Sequence, residues 1–151
     1  MGLRVLVGSG EKIALFTLPF LAVGLILDAV YPSLFDVGGP STTLRWISIV
    51  ALVPGITIWI WSVVLILKMV PRGELITGGP YVLVKHPLYT SVALLVLPWI
   101  GFLLNTGLGA LVGVGLYVGT RMFAPAEEAE LSETFDARWD AYCDRVLIPW
   151  L

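Results

Sequence analysis

Long apolar runs without charged residues divide this chain and predict helices that cross a membrane. The clearest run is 46–67, bounded by Arg45 and Lys68. About 20 apolar residues in an α-helix cross the hydrocarbon core of a bilayer, so this run is long enough alone. An earlier run, 13–27, needs its flanking residues to reach that length. It follows two basic residues, as a signal peptide would, but it lacks a small-residue cleavage site, so we expect a retained first span.

A third uncharged run, 87–120, is too long for one helix. Polar and flexible residues gather near its middle at Asn105, Thr106 and Gly107, which favours a turn. We therefore expect a helical hairpin of two short spans. Together the three runs predict an all-α integral membrane protein with about four transmembrane helices, of which the third and fourth form the hairpin.

Glycines four residues apart follow the predicted turn of the hairpin. They are Gly109 and Gly113, then Gly115 and Gly119. Small residues at this spacing let transmembrane helices approach closely, which is our main interpretation. The alternative is a gap that admits a lipid tail or a cofactor.

The last segment, 124–150, has the pattern of a surface helix instead of a span. Its apolar stripe, with spacings of three and four, contains Leu131, Phe135, Trp139, Tyr142 and Val146. Pro125 suits the first turn of such a helix. Membrane-surface helices usually have a basic polar face, whereas this polar face is acidic. We therefore expect a C-terminal cytoplasmic amphipathic helix that packs over a loop of the protein.

Composition supports a membrane protein and excludes several other classes. The chain is 58% hydrophobic and 13% charged, with a formal net charge of −2, so we expect membrane lipids as surroundings and no nucleic acid as partner. Cys143 is the only cysteine and we interpret it as a bystander. With a single histidine and no spaced partner ligands, we expect no metal site.

We expect one membrane domain, in which 1–70 form two spans and 71–151 form a loop, the hairpin and the C-terminal helix.

Basic residues set the expected orientation. Those on one side of the four-helix arrangement are Arg4, Lys12, Lys68, Arg72, Lys85, Arg121, Arg138 and Arg145, against Arg45 on the other. Because cytoplasmic loops are rich in lysine and arginine, both termini should be cytoplasmic. The 71–86 loop and the residues after 120 then share this face. We expect function to reside there.

The segment "GGPYVLVKHPLYT", residues 78–90, holds the only histidine of the chain. Its glycines permit a close backbone approach, and the proline after His86 suits the first position of the third span. A helix N-terminus attracts anions and disfavours an imidazolium, so His86 would be a neutral hydrogen-bonding group. The alternative is an interfacial histidine in an aromatic belt with Tyr81 and Tyr89.

This segment and the tail share an ordered pattern: Gly-Pro-Tyr, a basic residue with His-Pro-x-Tyr, an apolar hairpin, then Glu-Glu-x-x-Leu-x-x-x-Phe and an aromatic end. The matching residues are Gly79, Pro80, Tyr81, His86, Pro87, Tyr89, Glu127, Glu128, Leu131, Phe135 and Tyr142. Over 75–149 the chain resembles the isoprenylcysteine carboxyl methyltransferase and phospholipid methyltransferase superfamily of integral-membrane enzymes. It departs from that pattern at Lys85 (usually arginine), Ser91 and Asp136 (usually glycine) and Trp139 (usually tyrosine).

The resemblance implies methyl transfer from S-adenosylmethionine, most simply a carboxyl O-methyltransferase of the isoprenylcysteine type. It implies a cofactor site made of Gly79, Tyr81, Lys85, His86, Pro87, Tyr89, Glu127 and Glu128, with Glu128, His86 and Arg121 as catalytic residues. A lipid-like or prenylated acceptor would enter from the bilayer. We expect the plasma membrane of a prokaryote as the location.

Three chemical questions remain open from the sequence. Either glutamate of the pair would hold the cofactor ammonium, and Lys85 or Arg121 its carboxylate. A carboxylate acceptor needs no base, whereas an amine or thiol acceptor must lose a proton to Glu128 or His86. The alternatives to carboxyl methylation are N- or S-methylation of a phospholipid or small amphiphile, and a non-catalytic membrane scaffold that retains the fold.

Overall fold

The computed structural model describes residues 4–39 and 41–151, with the side chains of residues 9–39 and 41–151. This part of the chain is helical and contains no strand. Its helices are α1 (Arg4–Val30), α2 (Thr42–Met69), α3 (Pro87–Ser91), α4 (Leu97–Leu103), α5 (Leu108–Phe135) and α6 (Ala137–Cys143). A π-helical turn, Val92–Val96, joins α3 to α4, and two 3₁₀ turns, Val70–Arg72 and Gly79–Val82, lie between α2 and α3. The all-α class is confirmed.

Three helices are long and apolar enough to cross a membrane. Their apolar ranges are Ser9–Val30, Thr42–Arg72 and Leu108–Phe135. The first extends beyond the predicted 13–27 at both ends. The other arm of the hairpin, Pro87–Leu103, is a shorter apolar helix, so a fourth crossing stays a prediction.

α5 is the feature that the sequence prediction got wrong. We expected the fourth span and the tail to be separate helices, with Pro125 in the first turn of the second, but α5 runs through Pro125 without a break. Its 28 residues correspond to about 42 Å, more than the roughly 30 Å hydrocarbon core. Its uncharged part ends at Thr120, and a charged extension, 121–135, continues past the apolar layer.

The helix tolerates Pro125 because this residue is exposed. A proline inside a helix frees the carbonyl four residues earlier, and here that carbonyl belongs to Arg121, which is exposed and can be hydrated. The break falls instead at Asp136, whose backbone adopts φ 48° and ψ −127°. The C-terminal amphipathic segment is therefore divided between the end of α5 and the short α6.

The four glycines of α5 make two helix interfaces. A Cβ atom at each would contact a partner, and the pairs are Gly109 with Leu97, Gly113 with Ala93, Gly115 with Phe20 and Gly119 with Phe16. The first two partners belong to the other arm of the hairpin and offer backbone carbonyls, while the last two are aromatic side chains of α1. The predicted close packing is confirmed, and α1 fills the space that a gap for a ligand would require.

Side-chain hydrogen bonds connect the two loops at the end of the helices opposite the charged extension. Asn105 lies in the hairpin turn with φ 61°, and its amide nitrogen donates to Asp36 Oδ1 at 2.7 Å. Its amide oxygen accepts from Gly39 N at 2.6 Å. The predicted turn at residues 105–107 is confirmed, and the α1–α2 connection is fixed to it.

The tail packs over the loop between α2 and α3, as its acidic polar face predicts. The packed residues are Leu75 of the loop and Trp139, Tyr142 and Val146 of the tail, with Tyr81, Leu131 and Phe135 against them. The Tyr142 hydroxyl donates to the carbonyl of Tyr81 at 2.9 Å. The loop and the tail thus form one layer at the end of the helices, next to the charged extension of α5.

Candidate functional site

The polar segment before α3 and the glutamate pair of α5 meet in this layer. Lys85 Nζ donates to Glu128 Oε2 at 2.7 Å, and His86 Nε2 lies 3.1 Å from Glu128 Oε1. Since an ionised carboxylate only accepts, Nε2 carries the imidazole proton in this arrangement. The exposed fraction of the side chain is 16% for Lys85, 11% for His86 and 26% for Glu128. Two motifs far apart in the sequence thus form one partly buried polar cluster.

The local backbone explains how the cluster is positioned. Pro87 is buried and begins α3, and its ring disfavours a helical backbone at His86, which adopts φ −122° and ψ 59° instead. The His86 carbonyl accepts from Thr90 N at 3.0 Å, which closes the first turn of the helix. Glu127 and Glu128 are consecutive in α5, so they point about 100° apart around its axis. Each therefore faces a different cavity.

The first cavity, called here the apolar cavity, encloses about 840 Å³ including its mouth. It lies among the end of α2, the loop after it, α5 and α6. Its aromatic lining consists of Tyr81, Tyr89, Phe135, Trp139 and Tyr142, and Ile66, Leu75, Leu88 and Leu131 add aliphatic surface. Lys85, His86 and Glu127 reach its wall. A space of this kind suits an apolar ligand with a small polar group.

Glu127 is the unusual residue of the apolar cavity. It is 6% exposed, and its Oε2 has no hydrogen-bond partner among the side chains and backbone groups that the structure describes. Ser9 of α1 lies beside the carboxyl group. Because a buried carboxylate without a partner is costly, this position calls for a proton or for a cationic ligand.

The tyrosine hydroxyls around this carboxylate stay neutral. Burial, and then the charge of Glu127, raise the pKa of Tyr81 well above its ordinary value. Burial is also the main cause that raises the pKa of Tyr142. Both rings therefore offer uncharged π faces and hydroxyl donors. Burial likewise raises the pKa of the Cys143 thiol, which disfavours the reactive thiolate.

The second cavity, called here the polar cavity, lies on the other side of Lys85 and His86 and encloses about 580 Å³. Its polar lining consists of Lys85, His86, Thr90, Tyr117, Thr120, Arg121 and Glu128, and Pro149 and Leu151 close one side. Arg121 is exposed, and it makes no salt bridge within the described part of the chain. Two basic groups and one carboxylate thus surround a space open to solvent.

The structure brings together most of the predicted site residues. Tyr81, Lys85, His86, Tyr89 and Glu127 share the apolar cavity, while Lys85, His86, Arg121 and Glu128 share the polar cavity. Gly79 and Pro87 line neither. Gly79 (φ 62°) packs against Trp61 and Leu65 of α2, so both residues shape the backbone around the site, and their direct contact with a cofactor stays a prediction.

The sequence interpretation missed three residues of α5 that line the polar cavity: Tyr117, Thr120 and Ala124. Along α5, spacings of four, three and four place Tyr117 and Ala124 on the same face as the predicted Arg121 and Glu128, with Thr120 beside them. This spacing was a usable signal for a polar helix face. Ser9, in contrast, approaches Glu127 only through the packing of α1 on α5, and nothing local in the sequence indicates this contact.

Comparison of the chain with protein-family models, with curated proteins and with solved structures found no match.

Proposed function

We propose that this protein is an S-adenosylmethionine-dependent methyltransferase that acts on an amphiphilic acceptor at the membrane surface. The observation that carries the proposal is the contact of Glu128 with both Lys85 and His86. It joins the two motifs on which the family resemblance rests and separates a polar cavity from an apolar one. A water-soluble methyl donor and an apolar acceptor need two adjacent cavities of this kind.

The residues present fit the charged groups of the cofactor. Lys85 and Arg121 line the polar cavity and are cations that suit its carboxylate. The neutral rings of Tyr81 and Tyr89 offer faces that attract a sulfonium. When bound, the cofactor supplies an electrophilic methyl group. The chain therefore needs no nucleophile of its own.

The chain's contribution to methyl transfer is to position the reactants and to exclude water. Both carboxylate oxygens of Glu128 are occupied by Lys85 and His86, so we assign Glu128 as a positioning residue that sets these two side chains at the boundary of the cavities. The aromatic and aliphatic wall of the apolar cavity excludes water from the acceptor. Alignment of donor and acceptor supplies most of the rate in such a displacement.

A second candidate acceptor is an amine instead of a carboxylate. The family resemblance favours carboxyl O-methylation, but burial raises the pKa of Glu127, and its unpartnered Oε2 in the apolar cavity offers an acceptor carboxylate no positive partner. The same oxygen would attract an ammonium head group and accept the proton that an amine must lose. This observation favours N-methylation of an amphiphilic amine.

The cytoplasmic position of the site is part of the proposal and rests on the distribution of basic residues.

The test is methyl transfer by protein reconstituted in lipid vesicles, with S-adenosylmethionine labelled in the methyl group. A prenylcysteine and an amine phospholipid are offered as separate acceptors. We expect the labelled methyl group to appear in one of the two acceptors. If Glu127 determines the acceptor class, that acceptor is the amine phospholipid. Glu128→Gln should lower the rate by at least tenfold, whereas Glu130→Gln, an exposed change two residues further along α5, should leave it unchanged. Folded protein that labels neither acceptor would support the scaffold alternative and contradict the proposal.

A further inference from the structure

We propose that segment 79–83, which contains the Gly79–Val82 turn, and the segment after α6 form a membrane anchor that enters the lipid layer beside α2. The apolar side chains of this anchor are Val82, Leu83, Leu147 and Trp150. The inference concerns the position of the site in the bilayer and does not depend on the proposed function.

The depth of the turn follows from its contact with α2. A Cβ atom on Gly79 would lie 3.0 Å from the Trp61 ring and 3.1 Å from Leu65. Both residues belong to the uncharged run 46–67. Trp61 precedes Lys68 by seven residues, which is about 10 Å along a helix. The turn therefore folds back along α2 to the level of its apolar surface instead of extending into water.

The segment after α6 lies beside the turn at the same level. Leu147 N donates to the carbonyl of Val82 at 3.1 Å, and Ile148 N donates to the carbonyl of Leu83 at 2.9 Å. These two backbone hydrogen bonds hold the segments side by side. The anchor thus consists of two short segments of turns, fixed to one another and to α2.

The exposed side chains of the anchor are apolar although they lie next to a charged layer. Val82 is 43% exposed, Leu83 44%, Leu147 68% and Trp150 66%. The adjoining surface of α2 is also apolar and exposed, with Trp61 at 52% and Leu67 at 64%. A patch continuous with the lipid-facing side of a spanning helix, with a tryptophan at its edge, has the composition of a membrane interface. Lipid is therefore the occupant that we assign to this surface.

The anchor determines the depth of the candidate site in the bilayer. Tyr81, which lines the apolar cavity, directly precedes Val82 in the turn. If the anchor lies in the lipid layer, the wall of this cavity is held at the depth of the acyl chains near the headgroups. An apolar chain then reaches the cavity without crossing water.

Nitroxide labels on single cysteines test this position. In a Cys143→Ser background, Val82→Cys and Leu147→Cys are labelled in protein reconstituted in phosphatidylcholine vesicles, with Asp140→Cys on the exposed face of α6 as the control. Spin relaxation by oxygen, which concentrates in lipid, is compared with relaxation by a water-soluble nickel chelate. We expect oxygen to dominate at 82 and 147 and nickel to dominate at 140. Nickel access at 82 or 147 equal to that at 140, or protection from both reagents by a protein partner, would overturn the inference.

Discussion

Glu128 and Lys85 form an ion pair of 2.7 Å across 43 residues of sequence. The pair links the loop before α3 to the charged extension of α5, and the contact of His86 with the other oxygen of Glu128 makes it a three-membered cluster. Because the cluster is only partly exposed, its members should be coupled in stability as well as in function.

A double-mutant cycle measures this coupling. We expect Lys85→Met and Glu128→Gln each to lower the thermal unfolding temperature in detergent, and the double variant to be less destabilised than the sum. The interaction energy should be about 1 kcal/mol, since the pair is better shielded than a surface pair. Glu130→Gln paired with Lys85→Met is the control and should be additive. If the destabilisations by Lys85→Met and Glu128→Gln were also additive, the ion pair would contribute nothing to stability.

Asp136 should be a point of backbone strain. Its φ of 48° with ψ of −127° is a region that glycine adopts readily and other residues do not. Its side chain makes no capping hydrogen bond that would offset this cost. Asp136→Gly should therefore stabilise the protein by about 1 kcal/mol, measured by thermal unfolding.

The matched control for Asp136→Gly is Ala141→Gly, in the middle of α6 at an exposed position. That change should destabilise by about 1 kcal/mol, because glycine is a poor helix former. Equal losses at both positions would mean that residue 136 is not strained. Glycine is also the residue that the family pattern has after Phe135, which gives a physical reason for that preference.

Gly113 should not tolerate a side chain. A Cβ there would press on the backbone carbonyl of Ala93 in the other arm of the hairpin, and a backbone group cannot move aside as a flexible side chain can. Gly113→Ala should cost about 1–3 kcal/mol of stability, measured by thermal unfolding in detergent. Val114→Ala, one residue further on the exposed face, should change little. A neutral Gly113→Ala would contradict the tight packing of the hairpin.

The sequence predicted the broad architecture because long uncharged runs depend only on composition. The 46–67 run and the hairpin turn at Asn105 belong to this class, and both are found. The meeting of His86 with Glu128 was implied by the family resemblance, since nothing in the spacing alone places these two residues together. Here the resemblance pointed to a contact that the fold supplies.

The sequence prediction was wrong about Pro125, because a proline pattern does not reveal whether the freed carbonyl is exposed and can be hydrated. It also missed the division of Glu127 and Glu128 between two cavities. That division depends on how α5 is rotated about its axis relative to the loop and α1. This rotation depends on which side chains of α1 pack against Gly115 and Gly119. Such tertiary contacts have no local signature in the chain.

The most direct test of the central claim is calorimetric titration of the detergent-solubilised protein with S-adenosylmethionine and S-adenosylhomocysteine. We expect both to bind the wild-type protein and the exposed control Glu130→Gln with equal affinity. Lys85→Met and His86→Gln should each weaken binding by about tenfold or more, equivalent to about 1.4 kcal/mol. Folded wild-type protein that binds neither compound, or variants that bind as tightly as the wild type, would contradict the claim.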